Sequence, residues 1–230
     1  MGGNKLLFRL VPCLTLAVPL TLWRLYPSVF SSLSFKYSVL FFLCVSSIGV
    51  YGILGAGWCR NRRYASLGAV RSVAQTLSYE VCLSLILIQS ILYYLYDLNH
   101  LKLSPLIRWL FLSGMILFVT LLAETNRSPF DFSEGESELV RGFNTEFSSV
   151  PFVMIFLAEY LSILFMTLLI RLLFNRSCYT DVIVFLLLWR LVFVWCRGTL
   201  PRLRYDQLMS LAWKRFLPTV LGGLSFLVAL

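Results

Sequence analysis

An all-α bundle of about seven transmembrane helices, joined on one side by long polar loops, is the architecture this chain calls for. Three features point to it. Of the 230 residues, 59% are hydrophobic and 13% charged, with a mean hydropathy of +0.81. A soluble domain carries about 25% charged residues, so there is too little polar surface here to coat a water-soluble globule, and the bilayer is the solvent that fits. The apolar residues fall in runs of membrane length: a hydrocarbon core about 30 Å thick takes about 20 residues of helix, and a backbone in lipid satisfies its own polar groups only by coiling. The cations, finally, are divided unequally between the segments that separate those runs.

The runs lie at about residues 10–27, 37–57, 79–96, 108–124, 151–173, 180–196 and 217–230, the last two being short. The first follows Lys5 and Arg9 like a signal peptide, but no small-residue cleavage site comes after it, so it reads as a retained helix. With seven spans, one face holds Lys5, Arg9, Arg60, Arg62, Arg63, Arg71, Arg127, Arg141, Arg197, Arg202, Arg204, Lys214 and Arg215. The other holds Arg24, Lys36, Lys102, Arg108, Arg171 and Arg176, while Arg190 sits inside a span. The cation-rich segments 58–78, 125–150 and 197–216 therefore lie on the negative side of the membrane. No internal repeat or low-complexity linker divides the chain, which reads as a single membrane domain, 1–230.

The net charge of +9 does not indicate a nucleic-acid partner, because a nucleic-acid binder would not place its Arg residues between apolar runs. The six cysteines form no C-x-x-C pair, and His100 is the only histidine, so no metal site is expected. The chemistry points instead to carboxylates. Glu80, Glu124 and Glu159 lie inside or at the edge of apolar runs. An acidic group at the centre of a membrane helix costs about 2.5–3.5 kcal/mol on insertion scales, and such groups face a wet cavity or an ionic partner and often serve proton relays. A structural Glu–Arg pair is the plainer alternative for any one of them.

Six of the eleven acids, Glu124, Asp131, Glu134, Glu136, Glu138 and Glu146, fall within one stretch. Glu124 and Arg127 are three apart and would share a helix face, and Pro129 is expected to end that helix at Ser128. Ser133 followed by Glu136 has capping-box spacing. Interleaved Phe130, Phe132, Leu139, Val140, Phe143 and Phe147 suggest a packed loop in place of a merely solvated one. The small residues Ala65, Ser66, Gly68, Ala69, Ser72 and Ala74 would permit close helix contacts. Arg71, nine residues before Glu80, would fall on the opposite side of a continuous helix. Arg202, Arg204 and Asp206 form a second charged cluster on the negative side.

The string AETNRSPFDFSEGESELVRGFNTEF (123–147) closely resembles the signature loop of membrane subunit 1 of respiratory NADH:ubiquinone oxidoreductase, complex I. So do GWCRNRRYASLGAVRSVAQTLSYEV (57–81), FLAEY (156–160) and PRLRYDQLMSLAWKRFLP (201–218), in the family's order and over about a third of the chain. The resemblance implies a subunit at the heel of an L-shaped enzyme, forming part of the ubiquinone chamber and linking quinone reduction to proton translocation. By motif, Glu80, Glu124 and Glu159 would belong to the proton path. Asp131, Glu134, Glu136, Glu138 and Glu146 would lie at the quinone-chamber loop, with Arg127 and Arg141 as ionic partners, and Arg204 with Asp206 would shape the negative-side surface. It also implies ubiquinone as substrate and no cofactor bound directly, with FMN and iron–sulfur clusters in partner subunits. The implied partners are the peripheral-arm quinone-module subunits, neighbouring membrane subunits and lipid. Members of that family begin with a further transmembrane helix and an interfacial helix, bearing Glu-Arg-Lys and Gly-Pro-Asn motifs, which this sequence does not show. A split subunit, completed by a separate chain, is the expectation, with truncation as its rival.

Two other functions are weighed against this one. The membrane subunit of energy-converting hydrogenases shares the fold without a quinone substrate, but the acids of 124–146 favour complex I. An independent proton-coupled transporter would show paired halves, which are not seen. The 19 Phe and four Lys (Lys5, Lys36, Lys102, Lys214) fit an organelle-encoded product of the mitochondrial inner membrane, with a bacterial or other energy-transducing membrane as the alternative.

Overall fold

The computed structural model describes residues 5–25, 37–59, 63–97, 103–126, 129–130, 150–174, 181–201 and 203–229. These form α1 (Lys5–Leu22), closed by a 3-10 turn at Trp23–Leu25, α2 (Ser38–Trp58), α3 (Arg63–Asp97) and α4 (Leu103–Glu124). They are followed by α5 (Val150–Phe174), α6 (Asp181–Thr199), α7 (Tyr205–Leu211) and α8 (Leu217–Ala229). No strand occurs among the described residues. Among the described residues, five segments are long and apolar enough to cross a membrane: Leu7–Leu25, Ser38–Trp58, Ala65–Leu92, Val150–Ile170 and Tyr205–Val228. Helices α4 and α6, with 22 and 19 residues, reach about 33 and 28 Å at 1.5 Å per residue. The all-α polytopic bundle read from the sequence is the fold found. At the two ends of α2, Tyr37 and Trp58 stand exposed, where interfacial aromatics settle in a bilayer.

Two of the expected negative-side loops are largely helix. Segment 58–78 enters α3 at Arg63, and α3 runs for 35 residues, about 52 Å, well beyond the hydrocarbon core. Hydropathy marks this stretch as polar because of Arg63, Arg71, Gln75 and several serines. Tertiary contact holds it as helix, because Ala65, Gly68, Ala69, Ser72, Gln75, Thr76 and Tyr79 recur at helical spacing and are all buried. Segment 197–216 is helical from Tyr205, and α7 continues into α8 through a π-type turn at Ala212–Phe216. Pro218 follows that turn; its ring would clash with the carbonyl four residues back in a regular helix, and a locally widened turn relieves the crowding.

Helix α4 stops at Glu124, ahead of the point expected from Pro129. Asn126 adopts φ 50°, the left-handed conformation in which asparagine is tolerated, and its N–H donates to the Ala123 carbonyl at 3.2 Å. The stop is thus made by Asn126 before Pro129 can act.

Helix α3 is the central element, packing against α2, α4 and α8, while α1 lies between α2 and α5. The core joins Tyr79, Leu83, Leu117, Leu121, Ile170 and Leu208, with Phe42 of α2 stacked on Phe165 of α5 at 5.8 Å. Small residues set the closest approaches. A Cβ on Gly57 would strike Cβ of Ala69, so α2 and α3 touch nearly backbone to backbone there. On the other face of α2, a Cβ on Gly52 would lie 2.6 Å from Thr15 of α1.

Candidate functional site

Where α1, α2, α4 and α5 converge beside α3, they border a half-open cavity of about 140 Å³. Its wall is made by helical repetition. On α5, Ile155, Ala158, Glu159, Ser162 and Met166 each lie three or four residues from another of the set and so share a face. On α2, Ser46, Gly49, Val50 and Ile53 do the same. The C-terminal turn of α4 supplies Glu124, Thr125 and Asn126, and α3 supplies Thr76.

The structure brings Glu80, Glu124 and Glu159 to this one place. Glu124 and Glu159 line the cavity directly. Glu80 stands one turn beyond Thr76 on α3, half-buried, and its Oε1 accepts a hydrogen bond of 3.0 Å from Ser46 Oγ, which is itself part of the wall. Glu124 Oε2 and Asn126 Oδ1 are buried and accept no hydrogen bond from the described residues. Both are acceptors that need a donor, and a cavity of this size holds several waters. Two carboxylates in the wall of this largely apolar cavity, a third beside it and several hydroxyls make an arrangement that can take up, hold and pass on protons.

The position of Glu124 is fixed by a side chain that the sequence did not single out. Gln75 of α3 is fully buried, and its Nε2 donates to the carbonyl of Ala123 at 3.3 Å and to that of Phe130 at 2.9 Å. It ties the last turn of α4 to the segment after it. Pro129 O in turn accepts from Leu203 N at 3.2 Å, and Tyr79 Oη donates to Leu208 O at 3.2 Å, so the chain leaving α4 is held against the approach to α7. Ser46, Thr76, Asn126 and Ser162 were likewise missed. For Ser46 and Ser162 the signal was a small polar side chain within an apolar run, whereas Thr76 and Asn126 fell in segments read as polar loops.

Arg204 and Asp206 lie at the start of α7 with Nε and Oδ2 3.4 Å apart and side chains 79% and 75% exposed. They do not reach the cavity. A pair so open to water contributes little to stability. Arg71 lies exposed on α3, nine residues before Glu80 on one continuous helix, and thus on the opposite side from it. Arg127, Asp131, Glu134, Glu136, Glu138, Arg141 and Glu146 lie outside the described residues, as do the Glu124–Arg127 pair and the 133–136 capping box. Among the described residues no cluster of His, Cys, Asp and Glu could hold a metal ion.

With this geometry in place, known proteins give the context. A family model described as NADH dehydrogenase matches residues 1–228. The chain is 47% identical over 234 residues to NADH-ubiquinone oxidoreductase chain 1 of Aedes aegypti, covering 98% of this chain and 74% of that protein. It is 45% identical over 242 residues to the protein of the same name from Heterololigo bleekeri, covering 98% and 75%. For that of Balaenoptera physalus the identity is 44% over 234 residues, covering 96% and 74%.

Proposed function

The chain belongs to the NADH dehydrogenase family, as a subunit of the NADH–ubiquinone oxidoreductase complex, and from that premise we propose that it couples quinone reduction to proton movement through the carboxylate cavity. The observation that supports this reading is the meeting of Glu80, Glu124 and Glu159, from three helices, at one membrane-embedded chamber. Ubiquinone would be reduced in a chamber that this subunit helps to form, with Asp131, Glu134, Glu136, Glu138 and Glu146 in the loop beside it and Arg127 and Arg141 as their counter-charges. Arg204 and Asp206 would contribute to the negative-side surface facing the peripheral arm. Hydride transfer from NADH, the flavin and the iron–sulfur clusters would reside in partner subunits, and the assembly would sit in the mitochondrial inner membrane.

Within that scheme the residues have separable tasks. Ser46 orients the Glu80 carboxyl by donating to Oε1. Gln75 holds the Glu124 turn and the Pro129–Phe130 segment in a fixed relation, so that a displacement of the segment is felt at Glu124. Glu159 closes the chamber from α5. Changes of charge or position on the quinone side could thereby alter which carboxyl holds a proton.

The test is made in the assembled complex. Glu80→Gln and Glu124→Gln are each expected to impair ubiquinone-linked proton pumping while the complex still assembles. Normal pumping by both variants would refute the proposal. NADH oxidation by the wild-type enzyme should also be sensitive to ubiquinone analogues, and insensitivity would point to a relative that acts on another substrate.

A further inference from the structure

Helix α6 carries a charge that the described residues leave unanswered. Arg190 is the middle residue of the 19-residue α6, nine residues from either end and so about 13.5 Å along the axis from each. Its Nε is buried and meets no hydrogen-bond acceptor, and no carboxylate among the described residues pairs with it. One side of α6 is accounted for: Trp189 and Phe193 pack on Phe118 of α4, with ring centroids 5.4 and 5.2 Å apart. The other side, from Leu187 through Leu191 to Val194 and Trp195, is between 51% and 69% exposed. Arg190 stands at the border of the two. Leu187 lies one turn before it and Val194 one turn after it, and both belong to the open side.

Lipid suffices to cover leucine and valine. It does not suffice for a guanidinium, which in a membrane interior is found facing a polar cavity or an opposite charge. A lipid phosphate lies at the bilayer surface, farther away than the side chain can extend with its Nε held in the packed border. A carboxylate on an adjoining helix can lie at the same depth and present two oxygens to the guanidinium fork. We propose that the open side of α6 is the docking surface for a membrane helix of a neighbouring subunit, which presents an Asp or Glu to Arg190 at mid-bilayer. The proposal rests on the reading of this chain as one subunit of a membrane complex.

It is tested in the purified oxidoreductase with p-benzoylphenylalanine in place of Val194, on an otherwise unchanged chain. Photo-adducts are expected on a membrane helix of another subunit, within two turns of an Asp or Glu. Arg190→Leu is expected to lower the yield of assembled complex at least fivefold and Arg190→Lys to preserve most of it. Exchanging the two charges, Arg190→Glu with the mapped acid replaced by Arg, should recover assembly lost by either change alone. Adducts confined to lipid, to this chain or to a helix with no nearby acid would overturn the proposal, as would normal assembly of Arg190→Leu. Absence of the wild-type chain from the purified oxidoreductase would instead defeat the functional reading itself, so the two failures are distinguishable.

Discussion

At the scale of single residues, the cavity depends on a few hydrogen bonds whose removal has calculable consequences. Ser46 gives Glu80 a donor at the wall of the cavity. A net hydrogen bond is worth about 1 kcal/mol, which corresponds to about fivefold in a rate that depends on it. Ser46→Ala should therefore slow ubiquinone-linked turnover about fivefold with assembly unchanged, as measured by NADH oxidation in membranes with a water-soluble artificial acceptor as control. Unaltered turnover would remove Ser46 from the path. Gln75 has a different kind of importance. Gln75→Leu strips the Phe130 carbonyl of its buried donor, at about 1–3 kcal/mol for the group left unsatisfied, while the Ala123 carbonyl keeps the Asn126 N–H. The loss should show as a complex that dissociates at lower temperature or detergent concentration. Stability equal to wild type would mean that water replaces the amide without cost.

At the scale of helices, approach distance is set by glycine. Gly57→Val would drive side-chain atoms into Ala69, and overpacking of this kind costs about 1–3 kcal/mol. Gly222→Ala, where nothing lies within 4 Å, should be tolerated. Thermal stability of the two variants in detergent separates these outcomes, and equal behaviour would show that the α2–α3 contact is looser than described. This scale also shows what could be read in advance. The apolar runs gave most of the helices because a lipid-facing backbone has few alternatives to coiling. The first half of α3 escaped that reading, because Arg63, Arg71, Gln75 and the serines lower its hydropathy. The same residues become intelligible once Ala65, Ala69, Ser72 and Thr76 are seen to face α2 and α4. The three glutamates could be suspected singly from the cost of placing a carboxyl among apolar residues. Their meeting could not, since it arises from packing among helices distant in sequence. Gln75 offered no signal at all, because a glutamine on a long helix looks the same whether it faces water or two carbonyls.

At the scale of the whole molecule, polar contacts between distant segments gather where the chain leaves α4. The last turn of α4, the Pro129–Phe130 segment and the start of α7 are joined there by Gln75, Tyr79 and Leu203. This chain should migrate in native gels only as part of a large membrane complex, since so much apolar surface faces outward among the described residues. A stable, detergent-free monomer would be incompatible with that surface. In the proposed function Glu124, with its Oε2 buried against the cavity, lies on the route by which quinone reduction drives protons. The most direct measurement is ubiquinone reductase activity and vesicle acidification by the assembled Glu124→Gln enzyme, compared with wild type at equal activity toward a water-soluble acceptor. The predicted result is at least a tenfold loss of both ubiquinone reduction and acidification with acceptor activity retained. Acidification per NADH and turnover at wild-type values would contradict it.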